Sequence, residues 1–276
     1  MNLLIKKYLK SKVFLISFLI IFSILIYNAS IYLYGIFAGN KIYNVIYSAS
    51  YSLNDYIKLI GCNRFQFFDM VHSYDLTNDI LLFVIPIVMT FSSMYFTSKI
   101  FSSHFFKSEL LRTNYKKTLI KYYFCTYIMG VLPIILPFFI MLLLSFILPS
   151  NTLSAGNILT IYTTYGNYYL DIFVYFLWLL IFGFNCTSFA FITNYFVKKN
   201  IYALAIVNTI LMIIFYWFFG SIINGLGSPY NPNIFTFYIY DDFIGCIIAT
   251  ILAQFMAFIV LFRLYGKKER VINNYE

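Results

Sequence analysis

KIFSSHFFKSELLRTNYKKTLIK, residues 99–121, is the longest strongly basic segment lying between two apolar runs of the chain. It sets six cations, Lys99, Lys107, Arg112, Lys116, Lys117 and Lys121, against the single acid Glu109. Phe101, Phe105, Phe106, Leu110, Leu111, Tyr115 and Leu119 recur about every four positions, a spacing that gives a helix one apolar face, here opposite a cationic one. The segment therefore reads as a cytoplasmic docking element, and the runs on either side of it as membrane spans.

Bulk composition agrees with that reading. Of the 276 residues, 62% are hydrophobic, 22% aromatic and 11% charged, and the mean hydropathy is +0.81. Soluble domains carry about 25% charged residues, so this is the composition of an integral membrane protein. A net charge of +9 in so apolar a chain marks the sides of the spans rather than a nucleic-acid surface, and no nucleic-acid partner is expected. Cys62, Cys125, Cys186 and Cys246 show no C-x-x-C spacing, so neither a disulfide framework nor a zinc site is indicated. The Ile, Asn, Lys, Tyr and Phe bias resembles the product of an AT-rich bacterial genome.

Working outward from residues 99–121, the apolar runs are 13–34, 80–98, 122–148, 170–197, 201–223 and 243–262, and each is long enough to cross a bilayer. The first follows Lys6, Lys7, Lys10 and Lys12 without a clear small-residue cleavage site, which favours an uncleaved span over a signal peptide. The connections alternate in charge. Residues 99–121 are basic, 149–169 have no Lys or Arg, Lys198-Lys199-Asn200 is a tight basic turn, 224–242 again have none, and the tail carries Arg263, Lys267, Lys268 and Arg270. The predicted fold is one all-α transmembrane domain over 1–276, with six transmembrane helices and both termini in the cytoplasm, in the cytoplasmic membrane of a bacterium. That arrangement puts sixteen Lys/Arg and three acids inside and three Lys/Arg and seven acids outside, charges of +13 and −4 that reproduce the net +9.

Residues 36–79 are expected to form a polar outer loop whose Tyr43, Tyr47, Tyr51 and Tyr56 line either an interfacial helix or a folded cap. Pro86, Pro133 and Pro137 fall inside spans and favour kinks. Within 226–240, Gly227, Pro229 and Pro232 break the chain before a short apolar piece, Ile234–Tyr240, which is either re-entrant or a plain interfacial loop.

The chain lacks the residues of most chemistries. Its only Gly-Lys pair, Gly266-Lys267, has Leu261 and Lys268 where a phosphate-binding loop needs glycine and Ser or Thr. His72 and His104 fall on opposite sides of the predicted membrane and cannot share a metal. Asp241-Asp242 is the one adjacent acidic pair, and its place at the start of a span suits ending that span better than catalysis. No charge lies inside a span apart from Asp171 at a margin, which removes the usual carrier of proton coupling. Asn185, Thr187, Ser188, Asn194, Asn208 and Gln254 are polar positions within spans, available either for bonds between helices or for lining a pathway.

The order of these elements resembles the permease subunits of bacterial type-2 ATP-binding-cassette (ABC) exporters. In that family the loop after the second span carries a coupling helix: an acid, an aliphatic pair, a turn at Gly or Asn, then a basic pair. Glu109, Leu110, Leu111, Arg112, Asn114, Tyr115, Lys116 and Lys117 follow that order here, with Asn114 where a left-handed turn residue is expected. The resemblance implies a separate ATPase subunit that holds the ATP and Mg, no cofactor and no catalytic residue in this chain, and a homodimer or heterodimer in the bilayer. It also implies export of a hydrophobic or amphipathic substrate such as a lipid, drug, peptide antibiotic or bacteriocin. A non-transporting membrane receptor or assembly protein, or a membrane-embedded enzyme using Asp241, Asp242 and the first-loop acids, are the alternatives.

Overall fold

A computed structural model of the chain describes residues 8–46, 50, 52–53, 75–101, 109, 114–147, 168–196, 210 and 243–267. Among them the chain is helical, with no strand. Five long helices follow in order: α1 (Lys12–Ile46), α2 (Asp75–Phe101), α3 (Tyr115–Ile147), α4 (Tyr168–Phe196) and α5 (Phe243–Tyr265). Four stretches, Lys12–Ile46, Val84–Phe101, Tyr115–Phe146 and Leu179–Phe196, are long and apolar enough to cross a membrane, and Gln254–Tyr265 is a shorter apolar helix. These are the helices of a membrane-embedded protein. The expected span 201–223 lies outside the described residues apart from Ile210, as do 47–49, most of 51–74, and 226–240.

The helices overrun the apolar runs. α1 continues through Ile46, into the stretch expected to be an outer loop, and α2 already starts at Asp75. At 1.5 Å per residue the 35 residues of α1 reach about 50 Å, against a hydrocarbon core of about 30 Å. Hydropathy locates the part in lipid, whereas each helix propagates until its backbone bonding is interrupted. Residues 99–121 are likewise not one amphipathic helix. Asn114 stands outside helical structure and opens α3.

The path of the chain follows from side-chain pairs. Tyr8 meets Phe96 with ring centroids 4.2 Å apart and Ser17 meets Ser92 at 3.0 Å, so α1 and α2 are antiparallel. Phe101 and Tyr122 share one cluster, and Tyr123 reaches Ser188 at 2.6 Å while Tyr127 reaches the Leu180 carbonyl at 3.0 Å; α3 therefore runs against both α2 and α4. Gln254 pairs with Ser188, and Tyr265 lies against Phe191 and Tyr195, so α5 runs parallel to α4. Residues 197–242 thus connect the end of α4 to the start of α5 at the opposite end of the bundle. α1 starts, and α5 stops, toward the same end. That end also gathers all the described Lys and Arg residues except Lys41.

α2 packs on α1, α3 and α4, and α5 packs on α4. One core joins Ile21 and Leu25, Ile85 and Met89, Ile134 and Phe138, and Phe182 from the first four helices, all about fully buried. A second, aromatic core at the basic end joins Phe101, Tyr122, Phe191 and Tyr265. Two glycines set the spacing. A Cβ on Gly130 would strike Ser93 Oγ and lie 3.1 Å from the Met89 carbonyl of α2, and one on Gly183 would strike Val131 of α3. Small residues permit this approach, which membrane helices need because lipid supplies no hydrophobic drive to associate.

Gly130→Val should therefore separate α2 from α3 at a cost of about 1–3 kcal/mol, the usual range for overpacking. Unfolding of the purified chain in detergent reads this out. Wild-type stability in the variant would show that the contact is looser than described.

Candidate functional site

The basic end is where sequence-predicted site residues come together. Asn114 is exposed and caps α3, its Oδ1 accepting from the amides of Lys116 at 3.2 Å and Lys117 at 3.5 Å, and its carbonyl accepting from Thr118. This N-cap satisfies amides that a helix start leaves without partners. Asn114 was expected as a turn residue in place of glycine; its amide oxygen also caps the start of α3. Lys116 and Lys117 follow, both exposed.

Glu109 faces inward to the same helix. Its Oε1 lies 2.7 Å from Lys121 Nζ, its Oε2 accepts from the Tyr122 hydroxyl, and Lys121 also stands over the Tyr122 ring at 5.4 Å. Burial works against the charge of Glu109, yet the hydrogen bonds from Lys121 and Tyr122, with the Lys121 charge, hold its carboxyl below the ordinary carboxylate value. Tyr115 is half-buried and donates to the Tyr265 carbonyl, so it ties α3 to α5 within the chain. Leu110, Leu111 and Arg112 lie outside the described residues.

The polar positions within the spans form seams between helices. Gln254 Nε2 donates to Ser188 Oγ at 2.9 Å and to the Tyr123 hydroxyl at 3.2 Å, so one cluster clips α3, α4 and α5 together. Thr187 Oγ1 donates to the Gly183 carbonyl at 2.9 Å and lies 3.4 Å from Ser93 of α2. Asn185 and Asn194 are buried on the same helix. Asn208 lies outside the described residues. In a medium without water, Gln254, Ser188 and Tyr123 satisfy one another across the helix seams.

Sequence reasoning did not find a third feature. A groove of about 430 Å³ opens between α3, α4 and α5 at the basic end. Leu119 and Tyr123, Phe184 and Phe191, and Phe258 and Leu261 form its walls, and among the described residues Lys116 is the one cation in its lining, which includes no described acid. Aromatic abundance is its sole trace in the sequence, because its walls come from three separate helices.

No group of three or more His, Cys, Asp or Glu that could hold a metal occurs among the described residues. Cys125 and Cys186 are free thiols buried in the helix seams. No protein family, no curated protein and no solved structure matches the chain.

Two outcomes follow from this geometry. Gln254→Leu should cost about 0.6 kcal/mol, and no more than about 1.7, the range of interhelical hydrogen bonds in membranes, as read by unfolding in detergent. A lowered carboxyl pKa means that the stabilisation from Glu109 is complete above the unfolded-chain value of about 4.3 and is lost as the pH falls through the lower folded value. The gap in unfolding temperature between the wild type and Glu109→Gln should therefore be full at neutral pH and close toward the acid end of the profile. A gap that widens with acid would contradict the pairing.

Proposed function

We propose that the chain is the transmembrane subunit of an ATP-driven transporter of the type-2 ABC exporter class, working with a separate ATPase. The observation that carries this reading is the construction of the basic end. Glu109 is pinned to Lys121 and Tyr122, Asn114 caps α3, and both flanks of residues 110–113 are thereby fixed beside exposed Lys116 and Lys117. A segment held rigidly at both flanks transmits a push to the helix it joins, which is what coupling to an external motor requires.

In this reading Leu110 and Leu111 supply the apolar contact to the ATPase, and Arg112, Lys116 and Lys117 steer toward acidic surface. The chain crosses the bacterial cytoplasmic membrane six times with both termini inside. Residues 201–223 form the fifth crossing, and the shared direction of α4 and α5 supports this because the intervening chain must return between them. Two such subunits, identical or similar, meet about a two-fold axis. ATP binding on the ATPases, with their Mg, draws them together and shifts the helices between inward- and outward-open arrangements. The substrate is hydrophobic or amphipathic, of the class of lipids, drugs, peptide antibiotics and bacteriocins.

The test is affinity purification from solubilised native membranes, comparing the wild type with a Leu111→Asp, Arg112→Glu double variant and identifying partners by mass spectrometry. A soluble ATPase should accompany the wild type and be lost, at least tenfold in recovery (about 1.4 kcal/mol in binding), from the variant. Folded wild-type chain that brings down no ATPase would end this reading.

A further inference from the structure

The groove between α3, α4 and α5 combines two properties, an apolar slot that the docking role does not use and a cation, Lys116, that the docking role shares. Its walls are aromatic and aliphatic, and its rim carries Lys116 with no acid among the lining residues. Lys116 forms no ion pair among the described residues, and Lys267, which follows the lining residue Gly266, is also exposed. The nearest described acid, Glu109, is already taken by Lys121 and Tyr122. The groove thus presents an apolar slot below positive charge that no acid among the described residues pairs, at the end of the bundle where the described lysines gather.

We propose that this groove holds an acyl chain of an anionic glycerophospholipid, with its phosphate at Lys116. Its volume of about 430 Å³ falls in the ordinary range of ligand sites, about 300–1,000 Å³. In a bilayer an acyl chain gains no hydrophobic energy by entering an apolar slot, since lipid tails are as apolar as the walls. Retention and selectivity therefore rest on the headgroup, and basic pockets between membrane helices at the surface of a leaflet favour anionic ones. A zwitterionic lipid fits the slot but brings its own ammonium to the rim. A second copy of the chain, packed here about a two-fold axis, would bring like charges at Lys116 together with no acid among the described lining residues to pair them. The proposal needs only that the chain sits in a bilayer with this end at the surface, and it stands apart from any ATPase.

The test is native mass spectrometry of the purified full chain after exchange into equimolar phosphatidylglycerol and phosphatidylcholine with identical acyl chains, with no ATPase present. Phosphatidylglycerol should be retained over phosphatidylcholine by about fivefold, the preference one surface cation supplies. Lys116→Gln, at an exposed position, should abolish that preference and leave phosphatidylcholine unchanged. Lys10→Gln, outside the groove, should preserve it. Leu119→Trp, which narrows the slot, should reduce both lipids; if that variant does not fold, Phe262→Ala, at a residue 72% exposed, removes one wall instead with the same expectation. The proposal is overturned if Lys116→Gln keeps the preference, if Lys10→Gln loses it equally, or if the slot variants change oligomeric mass without changing bound lipid. The last result would assign the groove to a second copy.

Discussion

At Gly130 the backbone of α3 passes so close to α2 that Ser93 and the Met89 carbonyl occupy the space a side chain would need. Much of the bundle depends on that approach. It sets α2 deep enough among α1, α3 and α4 for Ser17 to meet Ser92, and for Ser93 to meet Thr187. Hydroxyls seated in these seams are worth little singly. Collectively they fix the register of helices whose apolar surfaces would slide past one another at little cost.

Charge supplies the second constraint. The described cations, Lys41 apart, gather at one end of the bundle because the helices alternate in direction until α4, and α5 then repeats the direction of α4. Lys99, Lys121 and Glu109 show how that end is held. Lys99 reaches the Tyr95 hydroxyl at 3.3 Å, and Lys121 is shared between Glu109 and the Tyr122 ring. Tyrosines thus moor the cations at the boundary between apolar core and water, where a ring and a hydroxyl are both satisfied.

These two constraints place the features a function can use. The aromatic core of Phe101, Tyr122, Phe191 and Tyr265 locks the ends of α2, α4 and α5 to the start of α3. Movement applied at Glu109 or Asn114 therefore passes to four helices at once. The groove beside that core shares Tyr123 with the Gln254–Ser188 clip, so its floor is tied to the polar seam. The proposed docking role and the proposed lipid site both draw on this same end.

The sequence by itself determined the class, the places of the apolar runs and the sorting of charge, because each depends on composition averaged over twenty residues or so. Asn114 was singled out from its residue type, yet its role as the cap of α3 depended on where the helix starts, and the overrun of α1 past the apolar run, as far as Ile46, on backbone bonding that composition does not report. The tertiary structure alone decided which helices touch. A soluble helix announces its buried side by a polar face opposite, but α3 and α4 are apolar nearly all round and carry no such mark. Hence the pairing of Gln254 with Ser188 and Tyr123, the inward turn of Glu109 and the groove under Lys116 could not be read from periodicity. They arise where glycines, hydroxyls and aromatic rings from distant parts of the chain fit one another, and fit is a property of three dimensions.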